Sequence, residues 1–253
     1  MRYIGIIPSR YQSSRFPGKP LCKIGDKTMI EHVYSQACKV KRLEKVLVAT
    51  DHEEIAACVR SFGGEVCMTA STHRSGTERC AEVLRKLMPE FEPEGTVVIN
   101  IQGDEPFIRP EQIGEIITCM ERQRAEIATL LLPLRNERDF ADPNVVKAVR
   151  GEDGKALYFS RSPIPYMRNL PFGEIPVYQH IGMYAYRGDT LLHIVKLPAS
   201  ALEQAESLEQ LRWLSNGCTI ATEITRHPGN ISIDTPADLQ KAIAYYQQIN
   251  PTE

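Results

Sequence analysis

Short apolar runs alternate with helical segments through the first hundred residues, and this alternation restricts the folds open to the chain. The runs have the length and β-branched composition of buried strands, and they lie at residues 3–7, 46–49, 65–68 and 96–101. Between them, apolar residues recur at helical spacing over 28–40, over 52–62 and after Gly76. We expect Pro8 to stop the first strand. The sequence therefore predicts an α/β fold with a mostly parallel, Rossmann-like nucleotide-binding sheet flanked by helices.

The pattern changes after residue 125, where strands and helices no longer alternate regularly. We predict here a strand, a β-hairpin, an irregular proline-rich stretch, a second strand and two helices, at 127–134, 142–161, 162–176, 177–187, 188–195 and 202–214. This smaller α+β portion, 126–216, interrupts a core formed by 1–125 and 217–253. The core closes with a short strand that ends at Asp234, followed by a helix that Thr235 is placed to cap.

The composition argues against several classes of partner. Charged residues make up 25% of the 253 residues and the formal net charge is -2, so nucleic acid and anionic membranes are disfavoured. No signal peptide and no run of about eighteen apolar residues is present, and we expect a cytoplasmic protein without membrane insertion. The seven cysteines contain no C-x-x-C pair and the six histidines no zinc-ligand spacing, which favours buried free thiols over a disulfide or zinc site.

A basic loop follows the first strand. It contains Arg10, Arg15 and Lys19 together with small residues and prolines: Pro8, Ser9, Ser13, Ser14, Pro17, Gly18 and Pro20. Ligands of open α/β sheets bind beyond the carboxyl ends of strands, where small residues let backbone N–H groups approach phosphate oxygens. The loop therefore suits a polyphosphate, although a solvated loop without a ligand is the alternative. Neither G-x-G-x-x-G nor the P-loop spacing is present, which disfavours dinucleotide binding and Walker-type ATPase chemistry.

Polar residues also follow the strand at 96–101. Gln102 and Asp104 should lie at the same edge of the sheet as the basic loop, and a carboxylate there suits Mg²⁺, which binds a few carboxylates completed by phosphate and water. The alternative is a simple turn at 104–106. Asp234 is a comparable carboxylate, with a helix-cap neighbour as its alternative role.

Other polar residues have two interpretations each. Arg74 and Ser75 begin a helix and could bind an anion there, or serve as a cap and an exposed side chain. Arg161, His180 and Tyr184 lie in or beside strands of the smaller portion, where a buried His or Tyr is usually a core residue. Glu209 and Gln210 are placed on the polar side of their helix, where solvent exposure is the default expectation.

The ordered set of these segments resembles one family across nearly the whole chain. The segments are IPSR (7–10), SRFPGKPL (14–21), HRSGTE (73–78), NIQGDEP (100–106), YFSRSPIP (158–165), HIGMYAYR (180–187), LEQLR (208–212) and IDTP (233–236). Together they resemble the 3-deoxy-manno-octulosonate (Kdo) cytidylyltransferases, whereas the first loop alone fits sugar nucleotidyltransferases in general. Ser9 stands where Ala is common, and Met183 and Ala185 vary the histidine-bearing strand.

The resemblance implies transfer of CMP from CTP to the anomeric hydroxyl of Kdo, with release of pyrophosphate, for lipopolysaccharide synthesis. It also implies a Mg²⁺ cofactor and a homodimer, with 126–216 binding the sugar and contributing to dimerisation. The implied nucleotide-binding residues are Pro8, Ser9, Arg10, Lys19, Arg74, Ser75 and Gln102. The implied catalytic residues are Arg10, Lys19, Asp104 and Asp234, of which the two aspartates would bind the metal. The implied sugar-binding residues are Arg161, His180, Tyr184, Glu209 and Gln210, with Arg161 as the partner of the sugar carboxylate.

Two alternatives to Kdo activation stay open. Another sugar acid, such as a sialic acid or an amino analogue of Kdo, would need the same nucleotide residues and a different sugar pocket. A non-catalytic nucleotide-sugar binding protein would share the fold, but Arg10, Lys19, Asp104 and Asp234 disfavour it because all four are present.

Overall fold

The first unit of the chain contains a sheet with helical crossovers and comprises the described residues among 1–113 and 229–253. The computed structural model describes residues 1–12, 15–227 and 231–250. Ser13 and Ser14 of the predicted loop lie outside the described residues, as do 228–230 and 251–253 of the predicted core. The elements up to the first helix that extends past residue 113 are β1 (Arg2–Ser9), β2 (Lys23–Ile24), β3 (Lys27–Thr28), α1 (Met29–Ala37), β4 (Lys45–Thr50), α2 (Glu53–Ser61), β5 (Val66–Met68), α3 (Gly76–Leu87), β6 (Thr96–Asn100) and α4 (Pro110–Gln123), with 3-10 turns at Lys19–Leu21 and Pro93–Gly95.

The strands β1, β4, β5 and β6 of this unit pair in parallel. β1 lies between β6 and β4, and β5 pairs with the other edge of β4. β2 and β3 form a separate antiparallel pair. Ile4, Ile6 and Ile7 are fully buried, and so is nearly all of β6, as expected for parallel strands covered on both faces. The predicted parallel sheet with helical crossovers is confirmed.

β1 continues through Pro8 to Ser9, so the prediction that Pro8 stops the strand is wrong. The register with β4 runs to Ser9, whereas the register with β6 ends at Ile6. The carbonyl of Ile6 points toward β6 and accepts a hydrogen bond from the N–H of Ile101. Because backbone groups two residues apart point to the same side of a strand, the nitrogen of Pro8 also points toward that side, but beyond the last β1–β6 pair. The missing N–H of Pro8 therefore removes no hydrogen bond from the sheet.

Side-chain caps fix where the helices of this unit begin. Thr28 caps α1 and Ser75 caps α3, each by accepting the backbone N–H of the glutamate three residues further on. The predicted helix over 52–62 is confirmed to within one residue at each end. The helix predicted over 28–40 is shorter than expected, because α1 ends at Ala37.

The second unit comprises the described residues among 114–228 and contains a mixed sheet. Its further elements are β7 (Ile127–Pro133), α5 (Glu137–Ala141), β8 (Lys147–Arg150), β9 (Ala156–Ser160), β10 (Tyr178–Arg187), α6 (Gly188–Ile194), α7 (Ala201–Glu206), α8 (Gln210–Ser215) and β11 (Ile220–Ile224). β11 pairs with β7 in parallel, and β10 is antiparallel to both β7 and β8. β8 and β9 form the predicted hairpin, which Gly154 helps to close with a left-handed backbone, φ +82°. α5 and β11 were not predicted.

The amphipathic helix predicted over 202–214 is wrong, because the structure has two helices there. α7 ends at Glu206 and α8 begins at Gln210, separated by Ser207 in the left-handed conformation at φ 52°. A capping box between Ser200 and Glu203 starts α7. Apolar residues recur at helical spacing on both sides of the break, so periodicity alone did not reveal it.

The C-terminal helix α9 (Pro236–Ile249) belongs to the first unit and begins as predicted. Thr235 and Asp238 form a capping box, with Pro236 in the first turn. The strand predicted to end at Asp234 is wrong, because residues 231–234 have no strand partner in the described structure. The N–H of Ile233 donates instead to the carbonyl of Asp104 at 3.0 Å, and this hydrogen bond helps to fix the approach to Asp234.

α9 packs on the β2–β3 turn and on α1. Ile233 is fully buried in a cluster with Ile24, Met29 and Ala242. Gly25 lies under the ring of Tyr246 at φ +67°, and a Cβ there would come within 2.3 Å of that ring. Only glycine meets both requirements, so this turn and the C-terminal helix fit together closely.

The sequence predicts that the cysteines are buried free thiols. All seven cysteines lie in the described ranges and none forms a disulfide, but only Cys80 and Cys119 are buried, so the expected burial holds for two.

α4 and α9 have 14 residues each. Within the described ranges, no helix combines the length and the apolar character that crossing a bilayer requires.

Candidate active site

A cavity of about 250 Å³ lies in the first unit, at the ends of β1 and β6 and at the start of α3. Its lining contains every nucleotide-binding and catalytic residue that the family resemblance implied: Pro8, Ser9, Arg10, Lys19, Arg74, Ser75, Gln102, Asp104 and Asp234. Arg15, Pro20, His73, Gly76, Arg79 and Gly103 complete it. The structure thus brings the basic loop and both aspartates to one place. Strands that share a sheet edge account for the basic loop and Asp104.

Glycines allow the loops around the cavity to approach one another. A Cβ on Gly103 would lie 2.7 Å from the carbonyl oxygen of Pro8 and 2.8 Å from Oγ of Ser9, so the loop after β6 can pass β1 only as glycine. Gly18 has a left-handed backbone, φ +69°, and its N–H donates to the carbonyl of Tyr11 at 2.9 Å. This hydrogen bond joins the two ends of the basic loop immediately before Lys19.

Lys19 binds both aspartates of the cavity. Its Nζ lies 2.8 Å from Oδ2 of Asp104, 3.2 Å from Oδ1 of Asp234 and 3.0 Å from the carbonyl oxygen of Ile233. The Lys19 side chain is largely buried, at 14% exposure. The sequence indicated that these three residues share a site, but it gave no sign that they pair directly.

The rest of the cavity is rich in cations. Arg15 binds Oδ2 of Asp234 at 3.1 Å, while Arg10 and Arg74 extend toward solvent, Arg74 with 83% of its side chain exposed. Arg79 is buried and donates to Asp51 and Thr69. Two carboxylates therefore face an excess of positive charge, an environment suited to a polyanion.

The start of α3 has the cap and the exposed arginine that were one of the two alternatives. Ser75 caps the helix by accepting the N–H of Glu78 at 3.2 Å, and the exposed Arg74 donates its own N–H to Glu78 at 2.8 Å. The cap and the exposed arginine are thus both observed. The same 12-residue helix directs its positive end toward the cavity, so its N-terminus can also assist an anion there.

His73, from the stretch 73–78 that the sequence suggests for an anion, and Arg79, which was not predicted, also line the cavity. His73 contacts the carboxylate of Glu82, which also accepts from the N–H of Ala70 at 2.9 Å and from Lys86. Burial alone would raise the pKa of Glu82, but hydrogen bonds from Lys86, Ala70 and His73 outweigh it and lower the pKa to about 2. Arg79 lies among the buried positions of α3, and a charged residue at such a position was the sequence signal that could have identified it.

Two carboxylates are suited to a metal ion in this cavity. Oxygens of Asp104 and Asp234 lie within 3.2 Å of one atom, Nζ of Lys19, so they converge on a single point. Across the described ranges, no group of three or more His, Cys, Asp or Glu side chains is arranged to hold a metal. Mg²⁺ commonly uses one or two carboxylates and completes its shell with water and substrate phosphate, so this pair fits that mode of binding.

The histidine and tyrosine predicted to bind sugar lie on one face of β10 in the second unit. The strand bulges between Ile181 and Tyr184, so His180 pairs with Leu131 and Tyr184 with Thr129. Nε2 of His180 lies 3.0 Å from Oγ1 of Thr129, and burial lowers the pKa of His180 to about 3. The hydroxyl of Tyr184 is buried and has no hydrogen-bond partner among the described residues.

Arg161 lies at the end of β9 with its guanidinium fixed by backbone carbonyls. Nε donates to Glu206 at 2.7 Å, Nη1 to Pro143 at 3.1 Å and Nη2 to Ser207 at 3.5 Å. Its backbone N–H donates to the Glu206 carboxylate at 2.9 Å. The arginine is held in one orientation before any ligand binds.

The last two predicted sugar residues begin α8. Glu209 occupies the position before the helix. Gln210 is buried, so the expectation that its side chain faces solvent is wrong. The break after α7 turns this residue inward, and its Nε2 has no partner in the described structure.

The sequence as a whole matches known proteins along nearly its full length. The family model described as Cytidylyltransferase matches residues 4–224. A 3-deoxy-manno-octulosonate cytidylyltransferase of Parabacteroides distasonis is 50% identical over 253 residues, which cover 97% of this chain and 98% of that protein. The protein of that name from Geobacter sulfurreducens is 44% identical, with 96% and 98% covered.

Solved structures show the same relationship. A CMP:2-keto-3-deoxy-manno-octonic acid synthetase complexed with CTP has a TM-score of 0.91 and 42% identity, covering 98% of this chain and 100% of that chain. A 4-diphosphocytidyl-2C-methyl-D-erythritol synthase of Anaerococcus prevotii, at TM-score 0.63, 16% identity and coverages of 97% and 99%, shares the fold. The chain belongs to the cytidylyltransferase family, and within it to the 3-deoxy-manno-octulosonate cytidylyltransferases.

Proposed function

We propose that this protein transfers CMP from CTP to the anomeric hydroxyl of Kdo, giving CMP-Kdo and pyrophosphate. The observation that carries the proposal is the cation-rich cavity at the ends of β1 and β6, in which Asp104 and Asp234 converge on Lys19. The names of the relatives and the CTP complex of the similar synthetase support the choice of CTP and Kdo. No basic surface excess or metal cluster of another kind points to a different reaction in the described part of the chain.

The reaction asks mainly for positioning and for neutralisation of charge. The sugar hydroxyl oxygen forms a bond to the α-phosphorus of CTP, and the bond from that phosphorus to the bridging oxygen breaks. Pyrophosphate leaves with the electron pair of that bond, and the hydroxyl proton passes to water. Arg10 and Lys19 would hold the triphosphate and neutralise the charge on the leaving group. Pro8, Ser9, Arg74, Ser75 and Gln102 would place the nucleotide.

Asp104 and Asp234 are the residues that would hold Mg²⁺. The bound ion would neutralise phosphate oxygens and lower the pKa of the attacking hydroxyl. Lys19, within 3.2 Å of both carboxylates, keeps them together and adds its own charge beside them. The two aspartates and the lysine therefore act as one unit.

Residues of the second unit would recognise the sugar acid. Arg161 presents a fixed guanidinium, which suits a carboxylate. His180 is neutral at physiological pH because burial holds its pKa near 3, so it would act as a hydrogen-bonding group and not as a cation. Tyr184, Glu209 and Gln210 would bind sugar hydroxyls, and the buried Tyr184 hydroxyl and Gln210 amide have donors available for this.

We also infer a cytoplasmic homodimer that supplies lipopolysaccharide synthesis. Free cysteines suit a reducing compartment. The proline-rich stretch exposes Tyr166 and Leu170, apolar side chains of the kind that a second subunit would cover. In this proposal 126–216 is the sugar-binding and dimerisation portion, and 1–125 with 217–253 binds CTP.

Pyrophosphate release with CTP, Mg²⁺ and a panel of sugar acids tests the proposal. We expect turnover with Kdo, and far less with a sialic acid or with an amino analogue of Kdo. Preference for either of those acids would reassign the substrate. No turnover with any acid, despite CTP binding, would favour a non-catalytic nucleotide-sugar binding protein.

A further inference from the structure

A completely buried lysine lies behind the arginine proposed to bind the sugar carboxylate. Lys147, in β8, has 0% exposure. Its Nζ donates to two backbone carbonyls, that of Asp142 at 2.8 Å and that of Arg161 at 2.6 Å. Burial lowers the pKa of Lys147, while nearby Asp142 and Glu206 oppose that shift and Arg161 adds to it. Lys147 belongs to none of the sites described above.

Stability alone does not account for a cation at this position. An ammonium loses its hydration when it is buried, and two carbonyl oxygens replace only part of it. An apolar side chain of similar length would fill the same space without that penalty, and such replacements are often neutral or stabilising. A buried charge that reduces stability is expected where it serves a function.

Both hydrogen bonds of the Lys147 ammonium affect Arg161. Lys147 binds the backbone carbonyl of Arg161 directly. It also holds the carbonyl of Asp142, and the next residue, Pro143, accepts Nη1 of Arg161 at 3.1 Å. Lys147 therefore fixes both the backbone of Arg161 and the segment that orients its guanidinium.

The carboxylate of Glu206 does not cancel this arrangement. Its two oxygens accept from Oγ of Ser160 at 2.5 Å and from the backbone N–H of Arg161 at 2.9 Å. They thus bind the backbone side of the arginine and leave the guanidinium to the carbonyl oxygens. Asp142 is the other acid near Lys147, and its carboxylate accepts from the backbone N–H and the side-chain amide of Asn144. In the described structure the Arg161 guanidinium donates to carbonyl oxygens and to neither carboxylate, which leaves its charge for an incoming acid.

We propose that Lys147 is the positioning residue of the sugar-acid site: it fixes Arg161 and adds a second positive charge behind it, so that the site selects a carboxylate. The inference rests on the proposed role of Arg161 in binding Kdo. It predicts that Lys147 determines affinity for the acid and leaves affinity for CTP unchanged.

The test compares Lys147→Met with a matched control, Lys155→Met. Lys155 lies in the same hairpin, but its side chain is half-exposed and pairs with Asp153. For Lys147→Met we expect KM for Kdo to rise on the order of tenfold, KM for CTP to stay within about twofold, and Tm to stay the same or increase. The control should change neither KM.

A second variant and an altered substrate separate the two parts of the role. Lys147→Gln keeps a donor for the carbonyls without the charge, and it carries the test if the methionine variant does not fold. The carboxamide of Kdo is neutral, so the wild type should have a much higher KM for it than for Kdo. In both Lys147 variants the ratio of these two KM values should fall.

Other outcomes would overturn the inference. An unchanged KM for Kdo in the variants would remove Lys147 from the site. Equal increases in both KM values together with a lower Tm would mean a purely structural role. Arg161→Gln separates the proposed role of Arg161 from that of Lys147. If Arg161→Gln leaves KM for Kdo unchanged, the proposed role of Arg161 fails. If Arg161→Gln raises that KM but Lys147→Met does not, only the positioning role of Lys147 fails.

Discussion

Lys19 lies between the carboxylates of Asp104 and Asp234, which would repel each other without it. Asp104 follows β6 and Asp234 precedes α9, so their proximity depends on chain segments far apart in sequence. Without a cation between them, like charges at this spacing would disfavour ionisation of both. One lysine in the basic loop therefore links the loop after β6 to the segment before α9.

Replacing Lys19 by Ala should reduce turnover far more than stability. Loss of a preorganised cation beside a phosphoryl group costs about 10²–10³ in kcat, whereas the fold loses only two ion pairs at the wall of an open cavity. The measurement is kcat with saturating CTP and Kdo, alongside Tm. Lys23→Ala, an exposed lysine four residues later, is the control and should behave as wild type. Unchanged turnover in Lys19→Ala would refute its catalytic role.

Replacing Asp104 by Asn, or Asp234 by Asn, should abolish turnover with the fold intact. An amide keeps the size of the carboxylate but loses the charge that binds a hard divalent cation. Turnover measured across Mg²⁺ concentrations, and Mn²⁺ binding by electron paramagnetic resonance, check this. Asp26→Asn, at an exposed aspartate, serves as control. Near-normal activity at ordinary Mg²⁺ would exclude the changed residue from the metal site.

His180 should make the protein less stable as the pH falls below neutrality. Its folded pKa of about 3 lies below the ordinary 6.5, so the unfolded state binds the proton first. The stabilisation is complete above about pH 6.5 and decreases below it, with a slope of up to about 1.4 kcal/mol per pH unit. The pKa of Glu82 moves from 4.5 to about 2, so its contribution is lost only below about pH 4.5.

Urea unfolding between pH 6.5 and 5 isolates this contribution. His180→Gln should flatten the decrease in unfolding free energy over that range, and His193→Gln, at an exposed histidine, should not. An equal slope in wild type and His180→Gln would mean that His180 does not stay neutral in the folded protein.

Among the helices and strands, those that depend on neighbouring residues are predicted correctly from the sequence, and those that depend on contacts between distant residues are not. The apolar runs of β1, β4 and β6 and the capping pattern of α9 depend on neighbouring residues, and the structure has them. The break at Ser207 has no local signal, because serine is not a typical residue for a left-handed backbone. Its carbonyl binds Arg161, and Arg212 of α8 binds Glu203 of α7, so tertiary contacts stabilise the break.

The site was predictable to the same extent. Strand ends located the basic loop, Gln102 and Asp104 in one cavity, because parallel strands bring their carboxyl ends together. The direct pairing of Lys19 with both aspartates and the burial of Gln210 depend on how loops fold back, which no short sequence pattern records.

The cap of α9 should affect the metal site as well as stability. Thr235 follows Asp234 directly, so Thr235→Ala should lower the unfolding free energy by about 1 kcal/mol and loosen the aspartate. We expect the Mg²⁺ concentration for half-maximal activity to rise by about threefold. Ser200→Ala removes the equivalent cap of α7 and should lower stability similarly without changing the Mg²⁺ requirement. Equal Mg²⁺ requirements in both variants would contradict this coupling.

At the scale of the whole molecule, charge is arranged locally and not as an overall excess. The chain carries a formal net charge of -2, yet the cavity of the first unit collects arginines and a lysine around two carboxylates. The second unit likewise places Lys147 and Arg161 side by side. The family match over 4–224 includes residues of both units. Each unit thus gathers cationic side chains in one place.

Phosphorus-31 NMR of a mixture of CTP, Mg²⁺, Kdo and the protein tests CMP transfer most directly. The triphosphate signals should be replaced by pyrophosphate and by one phosphodiester signal of CMP-Kdo in equal molar amounts, and omission of Kdo should leave CTP intact. A spectrum in which CTP persists with Kdo present, or in which CMP forms without a sugar nucleotide, would contradict the proposed reaction.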